Sequence, residues 1–158
     1  LANGLPHFSG SAYSITAPTV SAYHDRIECF FNNCCYAVKH ICRNDLLPLK
    51  ACQTEILQKD VLPMLEWKLG TENGWPVQPR HYGRGLHGQL DAMTWRELET
   101  TFCGAEEEVN WQALWHTITL FRRISREVGE RLGFTYPQDM DDRTVRYLHT
   151  IYAKKKSR

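Results

Sequence analysis

Apolar residues recur in steps of three and four along most of this chain and hardly anywhere in steps of two, so the pattern predicts helices rather than strands. Val20, Tyr23, Ile27, Phe30 or Phe31, Cys34, Val38 and Ile41 form one buried stripe, which predicts a helix over Val20–Arg43 capped by Thr19 or Ser21. The opposite side carries His24, Glu28, Asn32, Lys39 and Arg43 at helical spacing. A second helix starts at Asn44 or Asp45 and reaches Leu69, with Gly70 as its stop. Pro48 falls in its first turn, where a missing N–H costs little, whereas Pro63 lies deep inside and predicts a kink near Lys59. Thr94 and Glu97 read as a capping box that opens a short third helix ending at Phe102, before Gly104. Trp111, Leu114, Ile118, Phe121, Ser125, Val128 and Leu132 predict a fourth helix over Glu106–Leu132, stopped by Gly133. A fifth spans Asp141–Tyr152, with Val145, Leu148 and Ile151 facing inward.

These elements specify an all-α fold, an antiparallel helical bundle of about five helices. Residues 1–18 are rich in Gly, Ser and Pro and read as an extended lead-in, with one short strand over Ser11–Ala17. Residues 19–152 form the helical domain. Residues 153–158, with Lys154, Lys155, Lys156 and Arg158, are expected to be a solvated, frayed basic tail. The chain begins at Leu1 rather than Met, which favours a piece of a longer protein.

A length of 158 residues suits one domain with a core of its own. With 42% hydrophobic and 23% charged residues the composition excludes disorder. A net charge of +1 supplies no basic field, so no nucleic acid is expected as a partner. No apolar run approaches the roughly 20 residues of a membrane span, and no charged segment followed by an apolar run marks a secretory signal. No membrane contact and a cytoplasmic location are therefore expected. Five of the six cysteines fall in predicted helices and read as small buried hydrophobes in a reducing compartment.

Several groups bear on chemistry. Asn32, Lys39 and Arg43 place two cations and a neutral amide on one helix face, suited either to phosphates or to a solvated surface. Residues 70–92 hold five glycines and two prolines, and within them Arg80, His81, Gly83, Arg84, Gly85, His87 and Gly88 form a glycine-flanked basic run. That run is either an anion-binding loop or an exposed connection, and with no strand before it, it matches no nucleotide fingerprint. Trp75 in the same loop is free to stack on a ligand or to pack. Cys34, Cys35, His40 and Cys42 lie on one continuous helix whose faces point them apart, which argues against structural zinc. The acidic groups Glu106, Glu107, Glu108, Asp139, Asp141 and Asp142 read as helix-capping residues rather than metal ligands. No serine or cysteine nucleophile motif is present, so these residues by themselves indicate a helical binding or scaffold domain.

A resemblance adds to that reading. Phe30-Phe31-Asn32 followed by Tyr36-Ala37-Val38-Lys39-His40-Ile41-Cys42-Arg43 resembles the first C-terminal helix of aminoglycoside (streptomycin) 6-adenylyltransferases. Ile56-Leu57, Met64, Trp67-Lys68-Leu69-Gly70, Glu72 and Gly74 look like the next helix and its exit. Leu120-Phe121-Arg122, Ser125-Arg126-Glu127-Val128 and Glu130-Arg131-Leu132 resemble the family's long helix, and Tyr136-Pro137 stands in the same relative place after it. The likeness runs in order over residues 18 to 152. It implies the helical substrate-binding domain of a nucleotidyltransferase that transfers AMP from ATP to streptomycin.

In such proteins an N-terminal domain carries a Gly-Ser element and strand-borne Asp residues that bind magnesium. No such pair comes after Gly10-Ser11 here, so that domain is expected as a missing partner and this chain alone as inactive. The resemblance implies ATP and magnesium in the intact enzyme, neither bound by this domain alone, with no catalytic or metal-binding residue on this chain. It places Asn32, Lys39 and Arg43 at the nucleotide. Glu28 and Glu66 are implied as counter-charges for a cationic aminoglycoside, with Trp75, Arg84 and His87 at the substrate. Two other roles stay open: a stand-alone partner of a separate minimal nucleotidyltransferase, and a non-catalytic interaction bundle.

Overall fold

Helix α1 (Val20–Arg43) starts where the Thr19 hydroxyl accepts the Ala22 N–H at 3.1 Å. It ends where Asn44 turns into the left-handed region, at φ 58°. Both limits agree with the pattern of the sequence. The computed structural model describes residues 14–157. Of the short strand expected over Ser11–Ala17, the described part makes a single antiparallel bridge between Ile15 and Val77, and the rest lies outside the described residues.

α2 (Leu46–Ile56) and α3 (Leu62–Asn73) form one continuous helix joined by a π-helical turn at Leu57–Val61, so the kink expected near Lys59 is present. Its cause is Pro63. The proline has no N–H to offer the carbonyl of Lys59, and the Arg26 guanidinium of α1 donates to that carbonyl instead. Arg26 also lies 5.2 Å from the Trp67 ring centroid. Asn33 Nδ2 of α1 donates to the buried Asp60 carboxylate at 2.8 Å on the same turn.

The expected stop at Gly70 is corrected, because α3 continues to Asn73. Gly70 instead makes room for the Trp75 ring, which returns against the helix so closely that a Cβ at position 70 would overlap it. The segment from Gly74 to Asp91 contains two 3-10 turns, His81–Gly83 and Leu86–Gly88. Buried Val77, Leu86 and Leu90 hold it against the bundle.

α4 (Ala92–Glu99) begins and ends about three residues earlier than expected and is differently capped. Asp91 accepts the Thr94 N–H at 2.9 Å and the Thr94 hydroxyl at 2.7 Å. Thr94 is therefore the residue being capped, and Glu97 is taken instead by Arg123. α5 (Glu107–Leu132) ends in Gly133 at φ 72°, as expected. α6 runs Gln138–Lys156, longer at both ends than the stretch expected. The supposed tail is its last turn: Lys155 Nζ lies 3.5 Å from Glu107 Oε2, and Lys156 pairs with Glu108. Arg158 lies outside the described residues.

α1 packs on α2, α5 and α6, while α3 and α4 pack on α5, so the core runs along α1 and α5. Phe30 and Phe121 stack there with centroids 3.7 Å apart. Tyr23 Oη donates to the Ser125 carbonyl at 2.8 Å, passing over Gly129, where a side chain would collide with it.

Candidate functional site

Glu28, Asn32, Lys39 and Arg43 succeed one another at intervals of four, seven and four residues, which brings them onto one ridge of α1. All four side chains are exposed, because the opposite face of the helix is consumed by the core. The Lys39 ammonium rests 4.7 Å from the Tyr36 ring centroid. Neither Lys39 nor Arg43 has a carboxylate partner among the described residues, so both cations are available to an anion.

Glu66 has a different setting. It projects from α3 with only 9% of its surface exposed, and its Oε1 accepts the Arg80 N–H at 2.9 Å. Pro79, Arg80, His81 and Tyr82 close a shallow concavity over it. Burial pushes the Glu66 carboxyl above its ordinary value, against the Arg80 N–H and the guanidinium charges of Arg80 and Arg26, which pull it down. A cation entering the concavity would favour the ionised form.

The remaining residues expected at a substrate are dispersed. Trp75 is half-buried against Gly70 and serves packing. The exposed Arg84 has no ion pair among the described residues, and its carbonyl accepts Arg80 Nη1 at 3.3 Å. His87 lies 4.5 Å from the Trp95 ring, on α4. The structure thus assembles two groups, the α1 ridge and the Glu66 concavity, with Arg84 and His87 on the loop beside the second.

Sequence reasoning missed a polar network beneath that loop. Lys68 is buried beside Glu72, Glu127 at 3.3 Å and Asp91 at 3.6 Å. Burial lowers the Lys68 ammonium pKa, but Glu72 and Glu127 outweigh it and hold the value above the ordinary one. Arg123 joins the same network through Glu97, Glu127 and the Thr94 hydroxyl. One signal in the sequence is Lys68 itself, which with Glu66 puts charge among the apolar residues Leu65, Trp67 and Leu69.

The acidic residues near α6 also differ from expectation. Asp141 is fully buried and bonded to Arg122, Arg126 and Tyr136, so it braces two helices rather than capping one. Glu106 precedes α5 without a side-chain capping bond. Among the described residues no group of three or more His, Cys, Asp or Glu side chains is placed to hold a metal ion. The described cysteines are free thiols, and Cys34 is buried as expected while Cys29 is exposed. No helix of the described residues is long and apolar enough to cross a membrane.

The chain as a whole is similar to known proteins. The family model for streptomycin adenylyltransferase matches residues 1–151. The aminoglycoside 6-adenylyltransferase of Bacillus subtilis (strain 168) is 28% identical over 144 residues, covering 91% of this chain and 50% of the relative. That of Campylobacter jejuni is 26% identical over 144 residues, covering 91% of this chain and 49% of the relative. The chain therefore spans about half the length of the curated relatives it matches. The crystal structure of an aminoglycoside 6-adenyltransferase from Bacillus subtilis superimposes with a TM-score of 0.81 at 27% identity, over 90% of this chain and 54% of that one. With the family model running through all the bundle's helices but the end of the last, and a solved relative sharing their arrangement, the chain belongs to the streptomycin adenylyltransferase family.

Proposed function

We propose that this chain is the helical substrate-binding half of an aminoglycoside nucleotidyltransferase that moves AMP from ATP onto a streptomycin hydroxyl. In that reaction the hydroxyl oxygen attacks the α-phosphorus, pyrophosphate leaves and the hydroxyl proton is lost. The match over residues 1–151, spanning only about half of each relative, carries this reading. The catalytic carboxylates and their magnesium belong to a nucleotidyltransferase domain outside the described residues, and this chain alone is inactive.

Phosphoryl transfer depends mainly on positioning and charge stabilisation, and both are within reach of a helical wall. Lys39 and Arg43, with no carboxylate partner among the described residues, suit the phosphates of ATP, with Asn32 as a neutral donor beside them. Glu66, a carboxylate whose ionised form burial disfavours and a cation would favour, suits a guanidinium of streptomycin, with Glu28 as a second, exposed counter-charge. Arg84, His87 and Trp75 lie on the loop that would border the drug.

Calorimetric titration of streptomycin tests the reading, first into this chain and then into a mixture with a family catalytic domain, a non-hydrolysable ATP analogue and magnesium. Binding in the mixture that weakens on Glu66→Gln, with product formed when ATP replaces the analogue, is the expected result. Silence in both titrations would overturn the reading and leave a non-catalytic interaction bundle. Adenylylation by this chain alone would refute the assignment of the carboxylates to another domain.

A further inference from the structure

A pocket of about 170 Å3 opens between α2, the π-helical turn and the link from α4 to α5, and none of its lining residues belongs to the site described above. Ile56, Leu57, Val61 and Leu114 give it an apolar body, and Lys50 brings a charge to its wall. A cavity of about 150 Å3 is already large enough for benzene, so a six-membered ring fits the volume.

The lysine is fixed but not neutralised. Its Nζ donates to Asn110 Oδ1 at 2.8 Å and to the Cys103 carbonyl at 3.2 Å, and lies 3.3 Å from Cys103 Sγ. None of the three is a carboxylate. Lys50 forms no ion pair among the described residues, unlike the buried Lys68, which is surrounded by carboxylates. Asn110 is fully buried, its Nδ2 donating to the carbonyls of Gly104 and Glu106, and its Oδ1 also accepts from Gln53 at 3.0 Å. The asparagine therefore cannot turn away, and it holds the ammonium at the pocket wall. Two of the three ammonium N–H groups meet oxygen acceptors, while the third faces a thiol, a weak acceptor that an anion would readily displace.

We infer that this pocket binds a small monocarboxylate with an aromatic or short aliphatic body, its carboxylate on Lys50 and its body against Leu57, Val61 and Leu114. The cation supplies the preference for an anion, and the apolar wall sets a size limit near one ring. Because the pocket shares no residue with the α1 ridge or the Glu66 concavity, failure of this inference leaves the proposed function untouched.

Titration of sodium benzoate into the full 158-residue chain, with benzamide as its uncharged isostere, tests the inference by calorimetry and amide chemical shifts. Benzoate is expected to saturate in about the millimolar range, at least about tenfold tighter than benzamide. The shifts should be confined to Lys50–Val61, Thr101–Cys103 and Leu114–Thr117. Lys50→Gln should bring the two probes within about twofold of each other. Thr117→Met, which extends into the pocket and leaves the lysine in place, should abolish binding of both. Absence of saturable benzoate binding, equal affinity for benzoate and benzamide, or an anion preference that survives Lys50→Gln would each overturn it.

Discussion

Arg122 Nε donates to Asp141 Oδ2 at 2.7 Å, and that one oxygen also receives Tyr136 Oη at 2.9 Å and Arg126 Nη2 at 3.2 Å. The carboxylate is fully buried in the first turn of α6, so three donors from α5 and the turn after it converge on a single anion. Removing one partner of a buried charge leaves the others desolvated and unpaired. Asp141→Ala should therefore destabilise the fold by about 3 kcal/mol. Asp141→Asn, which keeps an acceptor and loses the charge, should cost less. Arg122→Ala should cost less again, because Arg126 and Tyr136 remain on the carboxylate. Urea midpoints of the three variants check the order.

Position 70 shows where a local rule meets a tertiary one. A glycine in mid-helix usually gains about 1 kcal/mol on replacement by alanine. At Gly70 the added methyl would overlap the Trp75 ring, so Gly70→Ala should instead lose about 1–3 kcal/mol. In a Trp75→Ala background the same change should become neutral or stabilising. A double-mutant cycle by chemical denaturation gives the sign directly, and a stabilising Gly70→Ala in the parent chain would refute the packing account.

The same contrast explains how much could be read from the residues. α1 was legible to both ends because Thr19 and a two-sided residue pattern agree locally, although Asn44, read as a start of the second helix, is the residue that closes α1. The kink at Leu57–Val61 was legible because Pro63 removes one donor wherever it sits in a helix. Gly70 was misread because Trp75 returns to it from beyond the helix end. Asp91 was passed over because Thr94 with Glu97 offered a matching motif, and only the fold brings Arg123 to Glu97. Lys155 and Lys156 read as a tail because Glu107 and Glu108 lie far away in sequence. For the candidate site, the ridge of α1 was evident from spacing alone. The burial of Glu66 beneath the 74–91 segment was not, since no sequence period places that segment.

Acid should weaken the cap of α4 in a defined window. Burial raises the Asp91 carboxyl pKa, but the Thr94 N–H and hydroxyl, with Lys68 and Arg123 nearby, outweigh it and bring the value down to about 2. A carboxyl depressed in the folded state adds stability that is complete above its unfolded value and lost as pH falls towards its folded one. The contribution of Asp91 should thus disappear between about pH 4 and pH 2. Asp91→Asn keeps a capping acceptor without the charge, so its stability should fall less steeply over that range. Asp91→Ala should cost about 1 kcal/mol near neutral pH through the lost cap. Thermal unfolding of the three proteins across the acid range checks both statements.

Glu66 should respond to pH in the opposite sense. Its folded-state pKa is raised, chiefly by burial, so the ionised form costs the fold free energy. That cost is absent below the ordinary glutamate value and is complete above the raised one, so stability should decline as pH rises through the interval between them. Glu66→Gln should remove the decline, because the amide oxygen can still accept the Arg80 N–H without a charge. If streptomycin places a guanidinium against this carboxylate, the ligand should stabilise the ionised form and lower its pKa. Side-chain carboxyl NMR of Glu66, titrated with and without streptomycin in the presence of the catalytic domain, measures that displacement. A midpoint that does not move when the drug is bound would put the cationic group elsewhere and leave Glu28 as the next carboxylate to examine.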